Sequence, residues 1–204
     1  YRCKGGLWEN KELMALASIE GYQKNRGKVL DYLNKKRTLI DTAEPNQGHK
    51  AIAELEETFD VTVITQNVDD LHERGGSSNV LHLHGELTKA RSSAHPELVY
   101  DIGYRDIQPG DCCDWGAQLR PHIVWFGEEV PLLEKAAEVV RSADYLLIVG
   151  TSLQVYPAAG LVHEVDMDVP ITVIDPGEPA SVSRARVIRK GACEGVREWV
   201  ARLT

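Results

Sequence analysis

With 204 residues, 43% hydrophobic and 26% charged, the chain can fill one compact domain, or one domain with a small insert. A formal net charge of −8 excludes a phosphate-tracking nucleic-acid binder, which needs clustered Lys and Arg, and no apolar run reaches the ~20 residues that span a bilayer. Four cysteines, two of them adjacent, do not make a secreted disulfide framework, so a cytoplasmic location is expected.

From Leu13 to about Ile40 the pattern is helical, interrupted by polar residues around Asn25-Arg26-Gly27. Val29, Leu30, Leu33 and Ile40 form its apolar face, and Lys35, Lys36 and Arg37 are read as a solvated one. A turn at Pro45-Asn46 leads into an amphipathic helix over 49–58, with Ala51, Ile52, Leu55 and Phe59 inward. Val61–Ile64 is a β-branched strand that ends in Thr65-Gln66-Asn67, with Asp69 and Asp70 just beyond. In an open α/β sheet, ligands bind at the carboxyl ends of strands, which makes these polar groups site candidates. A loop over 75–79 follows, and then Val80-Leu81 runs into His82-Leu83-His84-Gly85. Alternation along a strand puts His82 and His84 on one face, and Gly85 lets the backbone turn immediately afterwards.

Residues 91–119 are the least regular part of the chain and read as an insert. Leu119 to Glu128 is an extended aromatic and β-branched segment stopped by Gly127, able to offer backbone hydrogen bonds to a peptide beside it. Pro131 to Ser142 is helical, and Tyr145–Val149 is a continuous apolar run of the kind buried in parallel sheets. It ends in Gly150-Thr151-Ser152, whose glycine and hydroxyls suit ribose and phosphate. A second buried strand, Ile171–Ile174, ends in Asp175, a carboxylate placed to meet a ribose hydroxyl. Ala192-Cys193 begins a closing helix with Val196, Trp199, Val200 and Leu203 on its apolar face. These strand–helix repeats predict an α/β fold, a Rossmann-like doubly wound parallel sheet with a smaller inserted lobe. Residues 1–90 and 120–204 would form the main domain and 91–119 the insert lobe.

Three strings carry a more specific message. TQNVDDLH with HLHGEL, RPHIVWFGE, and GTSLQVYPAAGL resemble the signatures of the sirtuins, NAD-dependent protein deacylases, of bacterial type. The resemblance implies NAD as cofactor and acyl-lysine proteins or peptides as substrates, with the acyl group passing to ADP-ribose as nicotinamide is released. It makes His84 the base, a role suited to an imidazole because its ordinary pKa lies near neutrality. His82 is read as structural. Asn67 and Asp69 would position the nicotinamide end and a water, with Gln66 on the ribose and Arg2 closing over the cofactor. Gly150, Thr151, Ser152 and Asp175 would serve the ribose and phosphates, and Ala192 and Cys193 the adenine. Val124, Phe126 and Gly127 would wall the acyl-lysine path, and Val155 would pair with the substrate backbone. A monomer is expected, without nucleic-acid or membrane partners.

The chain departs from the family pattern in three places. A GAG-containing phosphate loop lies upstream of the aromatic-Arg and GLW residues in sirtuins, and this chain starts at Tyr1-Arg2, so an N-terminal segment is expected to be missing. Sirtuins that prefer succinyl or malonyl lysine carry Tyr-x-x-Arg where this chain has Leu33 and Lys36, which the resemblance places on the substrate side. A lysine can meet an acyl carboxylate as a point charge but lacks the two-pronged fork, which weakens the case for an acidic-acyl preference. Many members hold zinc with two spaced cysteine pairs, where this chain has Ser92, His95 and the adjacent Cys112 and Cys113. A zinc-free insert is expected, with no metal elsewhere and a three-ligand site on His95 and both cysteines as runner-up. Two other functions use the same features. One is ADP-ribosyl transfer or NAD hydrolysis, and the other is a non-catalytic acyl-lysine reader.

Overall fold

In the computed structural model, which describes residues 16–177 and 182–203, Asn25 splits the N-terminal helical stretch in two. Its amide bonds back to the Gly21 carbonyl, while its side chain accepts from the Lys28 amide, so one residue ends a helix and starts the next. Helices α1 (Ile19–Lys24), α2 (Arg26–Thr42) and α3 (Gln47–Glu54) precede strand β1 (Val63–Thr65). Helix α4 (Leu71–Arg74) and strands β2 (Val80–His82), β3 (Gly85–Ser92), β4 (Val99–Asp101) and β5 (Leu119–Ile123) follow. The chain closes with α5 (Leu133–Arg141), β6 (Leu146–Val149), β7 (Ile171–Ile174), β8 (Arg186–Ile188) and α6 (Ala192–Val200).

The chain divides into two compact units. The first takes in 16–43, Asn67–Asp70 and His84–Glu129. Its sheet is antiparallel, in the order β4-β3-β5, and α2 supplies the apolar face above it: Val29, Leu30 and Leu33 pack with Leu87, Ala90, Leu119, Ile123 and Trp125. Residues 91–119 lie within this unit, joined there by both N-terminal helices. The segment is more ordered than its composition suggests. The Gln118 amide alone donates to the carbonyls of Gln108, Asp111 and Leu119, and its oxygen accepts from Gly110.

The basic run of α2 corrects the expectation of a solvated face. Lys35 is exposed and Lys36 half-buried, but Arg37 is 0% exposed, so the three residues do not share one surface. Arg37 stands four residues after Leu33 and three after Asn34, which at 3.6 residues per turn returns it to the core stripe. There its Nε donates to the Leu87 carbonyl at 2.7 Å and its Nη1 to Asn34 Oδ1 at 2.7 Å. Asn34 in turn bonds both the amide and the carbonyl of Ile107, tying α2 to the insert.

The second unit comprises Glu44–Gln66, Leu71–Leu83, 130–177 and 182–203. All its strand pairs are parallel, β1 with β2 and then β6-β7-β8, which with the flanking helices makes the Rossmann-like α/β layer. β7 is central in its sheet and buried at every residue; β6 lies on the edge and is half-buried. Helix α6 packs tightly on β7: a Cβ on Gly195 would stand 2.4 Å from Ile174 Cγ2. Ile174, Val196, Ala51 and Ile188 form the core on that side. Among the described residues no helix is long and apolar enough to cross a membrane.

Candidate active site

The first unit brings three of the predicted stretches together on β3 and β5. Gly85, which opens β3, pairs with Ile123 and has φ of 76°, and a Cβ there would lie 2.1 Å from the His122 carbonyl oxygen. Only glycine fits. The residue before it, His84, is half-buried, and its carbonyl accepts from the Val124 amide at 2.9 Å. Two residues into β3, the Leu87 amide donates to the Val68 carbonyl at 2.8 Å and so fixes the Asn67–Asp70 segment to the same strand. Asn67 is exposed and Asp69 half-buried. Asp70 Oδ2 accepts from the Tyr104 hydroxyl at 2.5 Å, a second tie from the insert.

Alternation between His82 and His84 does not survive. β2 ends at His82 and the chain turns at 83 and 84, so the two imidazoles leave different local structures. His82 is 6% exposed in the second unit, and its Nε2 meets Glu73 Oε1 at 2.7 Å. This pair fastens α4 to β2. Burial alone would raise the Glu73 carboxyl, but the His82 hydrogen bond leads the opposing interactions and holds it below its ordinary value.

Beyond β5 the segment 124–127 alternates. Val124 is half-buried, Trp125 is 2% exposed, and Phe126 is 41% exposed beside Gly127 with φ of 92°. The Phe126 amide donates to the Ala17 carbonyl at 3.1 Å. Leu33 lies in the core of the first unit, and the Lys36 ammonium sits 5.6 Å from the centroid of the Tyr32 ring. His122, outside the predicted set, is held below its ordinary pKa by burial and then by the Arg91 charge, so it stays neutral at pH 7.

In the second unit Gln66 follows β1 directly and is half-buried. Gly150 follows β6 with φ of 63°, its amide bonded to the Ile174 carbonyl, and open space lies where a Cβ would stand. Thr151 Oγ1 accepts from the Leu153 amide at 3.2 Å, and Thr151, Ser152 and Val155 are half-buried. Asp175 is 1% exposed, and its Oδ1 accepts from the Gly177 amide at 2.8 Å. Ala192 and the exposed Cys193 form the first turn of α6. Arg2 lies outside the described residues.

Sequence reasoning missed the groups that hold these stretches in place. Arg37, Asn34 and Tyr104 are examples, as is the ion pair of Arg120 with Glu128 at 2.6 Å. An Arg and a Glu eight residues apart around a glycine were the available signal for the last.

As a zinc site the insert falls short. Ser92 Oγ accepts from the amides of Ala94 and His95, and its bond to the Cys113 thiol leads the contacts that hold that thiol below its ordinary pKa. The His95 ring packs edge-on against Trp115 at 4.5 Å, and Cys112 Sγ donates to the Gly110 carbonyl. Among the described residues His95, Cys112 and Cys113 do not gather into a three-ligand group. This donor set does not fit tetrahedral zinc, which needs four converging ligands.

A Rossmann-like parallel layer with polar strand ends is a class of architecture that binds nucleotides. Comparison with known proteins narrows it. The model of the Sir2 family matches residues 1–157, and the chain belongs to that family. A relative from Helicobacter pylori strain J99, named NAD-dependent protein deacylase, is 53% identical over 176 residues, covering 86% of this chain and 75% of its own. A solved structure described as a Sir2 homolog–NAD complex superposes with a TM-score of 0.88 at 36% identity, covering 100% of this chain and 82% of its own. Another, described as Sir2 bound to acetylated peptide, gives a TM-score of 0.79 at 26% identity, covering 92% and 83%.

Proposed function

We infer that this chain is an NAD-dependent protein-lysine deacylase, acting on acetyl-lysine first, with succinyl and malonyl groups as further candidates. The observation that carries the residue-level reading is the fixing of His84 and the Asn67–Asp70 segment to one strand, with Val124 bonded to the His84 carbonyl. Gly150 supports nucleotide binding, because its open backbone at a strand's carboxyl end is a place a ribose or phosphate can approach.

Bound NAD supplies a ribose carbon from which nicotinamide departs and a hydroxyl that takes the acyl group. His84 withdraws the proton from that hydroxyl through its imidazole. Asn67 and Asp69 orient the nicotinamide end and a water, and Gln66 holds the ribose. Gly150, Thr151, Ser152 and Asp175 serve the sugar and phosphates, Ala192 and Cys193 the adenine, and Arg2 covers the cofactor. Val124, Phe126 and Gly127 wall the acyl-lysine, and Val155 bonds the peptide backbone. The insert, within residues 91–119, keeps its fold without zinc, and the enzyme works as a monomer in the cytoplasm.

The test is mass spectrometry of an acetylated lysine peptide with and without NAD. Loss of the acetyl group only with NAD, matched by nicotinamide release, supports the reading. ADP-ribose on the peptide or a protein acceptor, with the acetyl group intact, would replace it with ADP-ribosyl transfer.

A further inference from the structure

The turn after β5 places a partly exposed aromatic side chain between two more deeply buried residues. Trp125 is 2% exposed and Glu128 has a side chain only 19% exposed, whereas Phe126 and Gly127 between them are open. Gly127 takes a positive φ of 92°, a conformation that side-chain-bearing residues rarely adopt. Several interactions hold the turn. Glu128 Oε2 accepts from the Trp125 amide at 2.9 Å, and the Glu128 amide returns a bond to the Trp125 carbonyl at 2.9 Å. The same carboxylate takes a two-pronged contact from Arg120, Nη1 to Oε1 at 2.6 Å and Nη2 to Oε2 at 2.9 Å. Arg120 Nη2 also donates to the Ile123 carbonyl at 3.1 Å, and its guanidinium lies 3.6 Å from the centroid of the Trp125 ring. One arginine therefore reaches the end of β5, the indole and the carboxylate at once.

We propose that Arg120 and Glu128 are positioning residues for the acyl-lysine peptide, a fork-and-carboxylate clamp that presents Phe126 and Gly127 to it. The proposal rests on the reading of Val124, Phe126 and Gly127 as the substrate wall. A planar, two-pronged arginine contact fixes orientation as well as distance, which a lysine does not. The turn supplies no group to the reacting atoms, so its loosening is felt in peptide binding.

The test compares R120K, which keeps the charge but loses the fork, with the double variant R120M/E128L, which removes both members of the pair. The double variant leaves Arg91, 3.4 Å from Glu128 in the parent, without that carboxylate, so thermal unfolding of each variant is read beside its kinetics. The expected result is a folded protein with the peptide KM raised on the order of tenfold, as a misplaced substrate wall demands. The KM for NAD should stay within about twofold, since uniform loss of stability does not split the two constants. E128Q keeps one oxygen for the Trp125 amide but turns an NH2 donor toward the Arg120 fork, so it should raise the peptide KM as R120K does. Folded variants with an unchanged peptide KM, or with both constants raised alike, overturn the proposal. If the wild-type chain proves not to be a deacylase, binding of a fluorescent acetyl-lysine peptide still decides. A roughly tenfold weaker Kd in R120M/E128L upholds the clamp, and an equal Kd sinks it.

Discussion

The carbonyl of His84 and the amide of Val124 share a 2.9 Å hydrogen bond. The residue assigned as base and the first residue assigned to the peptide wall are thus bonded to each other just beyond the end of the β3–β5 ladder, although 40 positions separate them in the chain. A change at either end of this bond is felt at the other.

Gly85 is where that ladder is most intolerant. Its φ of 76°, and a His122 carbonyl oxygen 2.1 Å from where a Cβ would stand, leave no room for alanine. Gly85→Ala should lose about 3 kcal/mol or more in urea unfolding, from strain at positive φ added to displacement of β5. Turnover should fall with it. A variant as stable as the parent would mean that the β3–β5 register is not as described.

His82 offers the contrasting case. Its bond to Glu73 fastens α4 to β2, and it has no assigned part in the chemistry. His82→Ala should cost about 1–3 kcal/mol, because a buried hydrogen-bonded partner is lost, while NAD-dependent turnover of the remaining folded protein persists. Loss of turnover equal to that of His84→Ala, at full folding, would reassign the base.

The two histidines also mark what the sequence reveals and what it does not. Period-two alternation assigns both to one face only if the strand continues, and β2 stops at His82. Local pattern does not record where a ladder changes partner. Arg37 teaches the same lesson from a helix: a Lys-Lys-Arg run reads as solvated, and the carbonyl of Leu87 that receives its Nε lies 50 residues away. By contrast the Ile171–Ile174 strand, the helix ending in Val200 and the glycine turn at Gly85 were legible, because burial on both faces, the 3.6 period and positive φ each select residue types locally. The residues of the site were named by family strings. The clamps beneath them are contacts between distant segments and needed the fold.

The Glu128 carboxyl carries a pH dependence. Burial would raise it, but the Arg120 contacts, the Trp125 amide and the Arg91 charge outweigh this and hold it below its ordinary 4.5. A carboxyl lowered by folding contributes stability that is full above its unfolded value and is lost as pH falls through the folded one. The stability of the parent protein should therefore decline as pH drops below about 4.5, and E128Q should show a shallower decline over that window. Parallel curves would show that the carboxylate is not paired in solution.

Metal removal should be without effect. Because the ligand atoms of His95, Cys112 and Cys113 do not converge on one point among the described residues, EDTA or a thiol-competing chelator should leave both thermal unfolding and turnover unchanged. Elemental analysis should find zinc well below one atom per chain. Stoichiometric zinc, with unfolding on chelation, would contradict the zinc-free insert.

The most direct test of the central claim is a mass-spectrometric time course on one acetyl-lysine peptide, run with the parent chain and with His84→Ala, each with and without NAD. The parent should remove the acetyl group only when NAD is present and release nicotinamide in step. His84→Ala should fold normally and turn over about 10²–10⁴-fold more slowly, the usual contribution of a positioned base. Undiminished deacetylation by folded His84→Ala would contradict the assignment of His84. Nicotinamide release without any loss of acetyl group from the peptide would contradict the deacylase itself.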